Sequence, residues 1–221
     1  MFFQLPSSTQ KIDNPPTLNM RCPSCSRLGS FRPIANFAVD AVISGASHRF
    51  SQYVCPNESC RCHLFVVFTP NKEVLASYPP ERIDFDATDI PVSIRDSLEE
   101  TLTCHSNGAF VAAAILVRRT LELLCHENGA AGKNLSDKLK DLRSKVTLST
   151  ELLDGLDHLR MLGNDAAHVE SKSYDSIGKD EVEIAIEVTK EVLKSLYQHR
   201  ALVNKLSGLK KTPQAEVASE S

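Results

Sequence analysis

No apolar run in the 221 residues reaches the roughly 18 that a helix needs to cross a bilayer. The opening Met-Phe-Phe-Gln-Leu-Pro also lacks a basic region followed by a long apolar core, so the reading is a cytoplasmic chain with no membrane association. No long block of like charge occurs either, and the formal net charge is only -3. Between Arg21 and Tyr78 six Lys and Arg stand against three Asp and Glu; between Asp96 and Ser207 the balance is fourteen against eighteen. That excludes a polycationic nucleic-acid surface, and any such binding must use a local patch rather than bulk attraction. Internal repeats are absent, which removes solenoid architectures. An even set of cysteines is missing as well: there are seven, and with no leader sequence a disulfide framework gives way to metal ligation.

What is present begins with two short cysteine knuckles. Cys22-Pro-Ser-Cys25 is followed by Cys55-Pro-Asn-Glu-Ser-Cys60-Arg-Cys62-His63. A tetrahedral zinc site needs four soft ligands, and two such knuckles each supply a pair of sulfurs that can converge on one ion. The expected ligands are Cys22, Cys25, Cys55 and Cys60, with Cys62 or His63 as the alternative to Cys60. Four protein ligands close the site, so the zinc is expected to be structural. Stretches rich in Phe, Val and Tyr at Ser30 to Ala38, His48 to Val54 and Leu64 to Thr69 read as strands. Together they suggest a zinc ribbon over residues 21–78, a size of about 55 residues that needs its metal to fold.

Residues 1–20, with Pro6, Pro15 and Pro16 among polar residues, read as a disordered arm, and 79–92 as a linker. Helical spacing then takes over. Ile94, Leu98 and Leu102 mark a first helix ending near Asn107-Gly108, and Phe110 to Asn128 a second that stops at Gly129. Leu135, Leu139 and Leu142 mark a third. Ser149 or Thr150 can cap a fourth, and Asp180 to Ser207 is a long fifth. Short connections imply an antiparallel bundle over 93–207, and 208–221 reads as a disordered tail.

Within the fourth helix, Arg160, Asn164 and His168 stand at i, i+4 and i+8. Each is rotated only about 40° from the last, so a continuing helix presents a cation, an amide and an imidazole on one face. Leu156, Leu159 and Leu162 already supply the apolar stripe. Gly163, which costs a helix interior about 1 kcal/mol relative to Ala, combines with Ala166 and Ala167 to let a helix or ligand come close. The same small residues suit a self-complementary contact, and a homodimer is expected. A bland reading stands beside this one: His168 as a favourable charge at a helix C-terminus, Arg160 in an ion pair with Glu122, and Asn164 satisfying a backbone group. Cys104 and Cys125 read as packing residues, and His105, His126, His158 and His199 show no convergent spacing.

The run Gly108-Ala-Phe-Val-Ala-Ala-Ala-Ile-Leu-Val-Arg-Arg-Thr-Leu-Glu122, followed by Arg160-x-x-Gly163-Asn164-x-Ala-Ala-His168, resembles the helical domain-of-unknown-function family numbered forty-one forty-five, over roughly Tyr78 to Leu206. That family is assigned to the HEPN superfamily, whose ribonucleases cleave RNA without metal through an arginine and a histidine. The fold class expected is therefore mainly α: a HEPN-like antiparallel helical bundle preceded by a small β-rich zinc ribbon. The resemblance implies a cleft lined by candidate catalytic residues His168, Arg160 and Asn164, with Arg118, Arg119 and Glu122 as candidate ligand-binding residues. His168 would move a proton and Arg160 would hold phosphoryl charge. The interval from Arg160 to His168 is longer than in those ribonucleases, and Met161 follows the arginine where a polar residue is usual. The expected function is recognition of RNA or a nucleotide phosphate by the ribbon and the Arg-Asn-His face, in a defence or toxin-antitoxin context. The alternatives are a metal-independent endoribonuclease and an adaptor that docks a protein partner without binding nucleic acid.

Overall fold

The computed structural model describes residues 11–12, 15–34, 38–43, 45–168 and 176–209. The chain divides into two compact units, Met1–Asp84 and Phe85–Ser221.

Among the described residues the first unit holds seven strands: β1 (Lys11–Ile12), β2 (Leu18–Arg21), β3 (Leu28–Pro33), β4 (Ala38–Ile43), β5 (Ala46–Val54), β6 (His63–Phe68) and β7 (Val74–Tyr78). All the pairings are antiparallel. The nine-residue β5 organises them: β4 pairs with its first half, β3 with its end, and β6 along its other edge, with β7 beyond. Alternation along β5 and the first half of β6 divides the sheet into two faces, and it ends at Val67, which is buried on the side of Phe65 where the pairing with β7 is irregular. Ser51, Tyr53, Leu64, Val66 and Phe68 are buried, whereas Gln52 and Phe65 are exposed. The core is Leu18, Met20, Phe31, Tyr53, Leu64, Val66 and Phe68 together with Cys22 and Cys55. Tyr53 is edge-on to Phe68, with ring centres 6.1 Å apart, and its buried hydroxyl donates to the Pro16 carbonyl at 2.8 Å. Among the described residues this cluster is small, and two of its nine members are cysteines of the knuckles.

The second unit is helical: α1 (Val92–Ser106), α2 (Phe110–Glu127), α3 (Leu135–Arg143), α4 (Thr150–Ala167), α5 (Lys179–Leu193), a π-helical turn (Lys194–Gln198) and α6 (His199–Gly208). Gly108 and Gly129, at φ +75° and +65°, take the left-handed conformation that ends α1 and α2 without steric penalty. Ser149 caps α4 by accepting from the Leu152 amide at 3.3 Å. α2 is the central element and packs against α1, α3, α4 and α5. Its Val117, Leu121 and Leu124 are buried, as are Ile94, Leu98 and Leu102 of α1, Leu135, Leu139 and Leu142 of α3, and Leu156, Leu159 and Leu162 of α4. Each such leucine contributes on the order of 2 kcal/mol by leaving water. The stretch before α1 also belongs here: Gln198 donates to the carbonyls of Asp86 at 2.8 Å and Thr88 at 3.3 Å, and Lys205 pairs with Asp89 at 2.9 Å. Among the described residues no helix is long and apolar enough to cross a membrane.

The expected class, mainly α with a small ribbon, is corrected by this architecture. The fold is mixed, with a curled antiparallel sheet in an N-terminal β unit followed by helices. The extra strands lie where residue type gives little sign of them. β4 carries Asp40 at mid-strand, which pairs across the sheet with Arg49 at 3.3 Å; β7 is partly small and polar; β2 begins at Leu18, inside the stretch expected as an arm. The expected tail lies outside the described residues from 210 onward.

Candidate functional site

The two knuckles are built by matching turns. In the first, Ser26 donates from its amide to the Cys22 carbonyl at 2.9 Å, and Cys22 to that of Arg27 at 3.0 Å. In the second, the amides of Cys60 and Arg61 donate to the Asn57 carbonyl at 2.9 and 3.0 Å, and Cys55 donates to the Cys62 carbonyl at 2.8 Å. Ser26 and Arg61 sit at φ +56° and +48°, in the left-handed region that reverses the chain. Gly29 lets the knuckles meet, since a β-carbon there would lie 2.7 Å from Cγ of Pro56.

The sulfurs of Cys22, Cys25, Cys55 and Cys60 all lie within 4.8 Å of one another. Cys22 is 3.8 Å from Cys60, and Cys25 is 3.8 Å from Cys55. That is far beyond the roughly 2.05 Å of a disulfide. It equals the edge of about 3.8 Å of a tetrahedron whose metal–sulfur bonds are about 2.3 Å. The four cysteines are therefore arranged as a possible metal site. Cys62 stands outside the group, its thiol directed to the His63 carbonyl at 3.6 Å, and His63 is exposed. The amide N–H of Arg27, helped by the Asn57 side chain, lowers the Cys25 thiol to about 6 against opposing burial. Burial raises Cys55 to about 12, and the thiols of Cys22 and Cys25 add to the shift. Burial and crowding work against ionising the four sulfurs together, and a thiophilic metal would supply the charge that offsets this.

In the helical unit α2 and α4 cross at Gly163. A β-carbon at this position would lie 2.5 Å from Cβ of Arg118 and 3.0 Å from the Ala114 carbonyl oxygen. The crossing sets Arg118 of α2 beside Arg160 and Asn164 of α4, and these three, with Asn134, Leu135 and Ser136, line an open cleft of about 260 Å³. Asn134 caps α3 by accepting from the Asp137 amide at 3.0 Å, so the first turn of that helix, with its positive dipole end, forms one wall. Arg118 Nε lies 3.6 Å from Glu122 and Arg160 Nε lies 3.5 Å from Asp157. Asp157 is shared: its other oxygen accepts from Arg143 at 3.0 Å, and Arg143 also binds Asp154 at 3.0 Å. Asp154 and Asp157 thus stand against Arg143 and Arg160, with Asp157 divided between the two guanidiniums, and the buried Nε–H of Arg160 has no hydrogen-bond acceptor.

The expected residues are thus divided. Arg160, Asn164 and Arg118 come together, with Glu122 on the rim through its pairing with Arg118. His168 does not line the cleft: it is the exposed C-cap of α4, at φ -131° and ψ 119°, after the helical spacing has ended. Arg119 is exposed and also outside the lining. The third helix was expected from its leucines, but not the place of its first turn, Asn134 to Ser136, in the cleft wall, for which the cap signal Asn134-Leu-Ser-Asp137 was available.

The family described as domain of unknown function (DUF4145) matches residues 99–212. The chain belongs to that family. The DUF4145 match contains every residue lining the cleft and none of the four clustered cysteines. No curated protein and no solved structure matches the chain.

Proposed function

We propose that this DUF4145 protein recognises RNA or a nucleotide through a phosphate held in the α2–α3–α4 cleft. The convergence of Arg118, Arg160 and Asn164 on the N-terminus of α3 carries this reading. Guanidiniums bind phosphate oxygens by parallel charge-assisted hydrogen bonds, and a helix start adds amide donors and a favourable dipole. Asn164 can donate or accept and so fix the orientation of the bound group. A HEPN-like role in defence, as a homodimer, is part of the same proposal.

Cys22, Cys25, Cys55 and Cys60 would hold a zinc ion, which supplies the crosslink that a nine-residue core lacks. Their reduced thiols suit a reducing compartment such as the cytoplasm. The position of His168 outside the lining favours binding over cleavage. The test is fluorescence anisotropy with a labelled mixed-sequence RNA in magnesium-free buffer, with product length read in parallel. Wild type is expected to bind without turnover, and Arg160→Ala to weaken binding about tenfold and reduce the salt slope by about one. Equal affinity in wild type and Arg160→Ala would remove the cleft from the function.

A further inference from the structure

The outward face of the β unit carries a set of side chains that neither the metal site nor the cleft uses. Cross-strand partners in an antiparallel sheet point to the same side, so register assigns the faces. Arg32 pairs with Val54 and Val54 with His63; Gln52 pairs with Phe65 and Phe65 with Tyr78. These residues alternate with the buried Tyr53, Leu64 and Val66 and therefore share the opposite face. Phe65 is 48% exposed and Tyr78 44%, on a strand pair where burial was available to their neighbours. Directly opposed, their α-carbons are about 5 Å apart, and His63 lies about 7 Å along β6 from Phe65.

The chemistry around this aromatic pair is cationic and hydrogen-bonding. Arg32 stands two strands from His63 in the same row, a separation of about 10 Å. Arg61 is exposed at the knuckle that leads into β6. Neither arginine has an ion pair among the described residues. The outward positions named here include no acid, and the whole stretch from Arg21 to Tyr78 is basic by six to three. Adjacent exposed rings with amide, imidazole and guanidinium groups beside them match unpaired nucleobases on an anionic backbone: rings stack on either base type, and arginine follows the phosphates. A protein partner would gain from the rings but has no use for unpaired arginines beside them unless it is acidic.

We infer that the β6–β7 face is a stacking platform for single-stranded RNA, with Phe65 and Tyr78 under successive bases and Arg32 on the backbone. This deepens the proposed RNA recognition and rests on it for the choice of ligand, while using a surface in the other unit. The experiment is anisotropy of the full zinc-loaded chain with a labelled oligouridine, comparing wild type, Phe65→Leu, Phe65→Tyr, Tyr78→Leu and Arg160→Ala. The leucine variants keep apolar area but lose the ring face. Each is expected to raise Kd about tenfold, whereas Phe65→Tyr stays near wild type and a duplex of equal length competes poorly. Unchanged affinity in both leucine variants, with Arg160→Ala weakened, would overturn the platform and leave the cleft. Loss in the leucine variants alone would uphold the platform and remove the cleft. No affinity of wild type for oligouridine would overturn the platform.

Discussion

Gly163 of α4 lies directly over Arg118 of α2: a β-carbon at 163 would stand 2.5 Å from Cβ of Arg118. The glycine thus has a structural use inside the chain, and the same contact sets the arginine beside Arg160.

Gly163→Ala should therefore destabilise the helical unit despite the better helix propensity of alanine. The propensity gain is about 1 kcal/mol. Against it, a methyl group must displace a helix backbone oxygen at 3.0 Å as well as the root of the arginine, an overpacking cost of about 1–3 kcal/mol. A melt followed by far-UV circular dichroism should show the midpoint lowered by several degrees; a raised midpoint would show that the crossing yields easily.

Metal content separates the five knuckle cysteines. Cys22→Ser and Cys60→Ser should each lose bound zinc, because each removes one of four sulfurs at tetrahedral spacing. Cys62→Ser should keep one zinc per chain, since that thiol faces a carbonyl outside the group. Chelation of the wild type should lower protease resistance of residues 15–84 first, as the small core loses its crosslink. Zinc retained by Cys60→Ser but lost by Cys62→Ser would reverse the assignment.

How much of this was legible in the sequence follows the range of the interactions. Leu135, Leu139 and Leu142, and Cys22-x-x-Cys25, declare themselves through local spacing, because a helix face and a knuckle are built from near neighbours. The sheet does not. β4 and β7 acquire their strand character by pairing with β5 and β6, and Asp40 is acceptable at mid-strand because Arg49 stands opposite. The same limit governs the cleft. The i, i+4 relation of Arg160 and Asn164 was visible, but Arg118, 42 residues earlier, and Asn134 reach them only through tertiary packing. His168 was carried too far by the periodicity, which holds only while the helix continues, and the helix ends at Ala167.

His105 predicts a sensitivity to acid. It is buried on α1 against Phe110, its ring centre 5.6 Å away, and its Nε2 has no partner. Burial lowers its pKa from the ordinary 6.5; Glu183 opposes this and Lys179 assists it. A depressed histidine means that the unfolded chain takes up the proton first. Its contribution to stability is thus present above about pH 6.5 and is lost as pH falls from there toward the folded value. Denaturant midpoints should fall over that interval in wild type and fall less in His105→Leu, which has no proton to bind and leaves no orphan nitrogen. Parallel pH profiles would exclude the histidine as the cause.

The charge balance of the cleft gives a gain-of-binding test. Asp157 lies 3.5 Å from Arg160 and 3.0 Å from Arg143, so its carboxylate draws on both guanidiniums. Asp157→Asn removes that negative charge while keeping size and a hydrogen-bonding oxygen. Arg143 retains Asp154 and the Leu153 carbonyl, each at 3.0 Å, so the link between α3 and α4 persists. Arg160 then keeps more of its charge for a phosphate. Because partly exposed pairs are screened, the gain should be modest, about two- to fivefold in RNA affinity at low salt, shrinking as salt rises. His168→Ala, outside the lining, should leave affinity unchanged. A loss of binding in Asp157→Asn would mean that the carboxylate positions Arg160 for the ligand instead of competing with it. The double variant Asp157→Asn with Arg160→Ala decides between the two: competition predicts that removing the arginine abolishes the gain, so the double binds like Arg160→Ala alone.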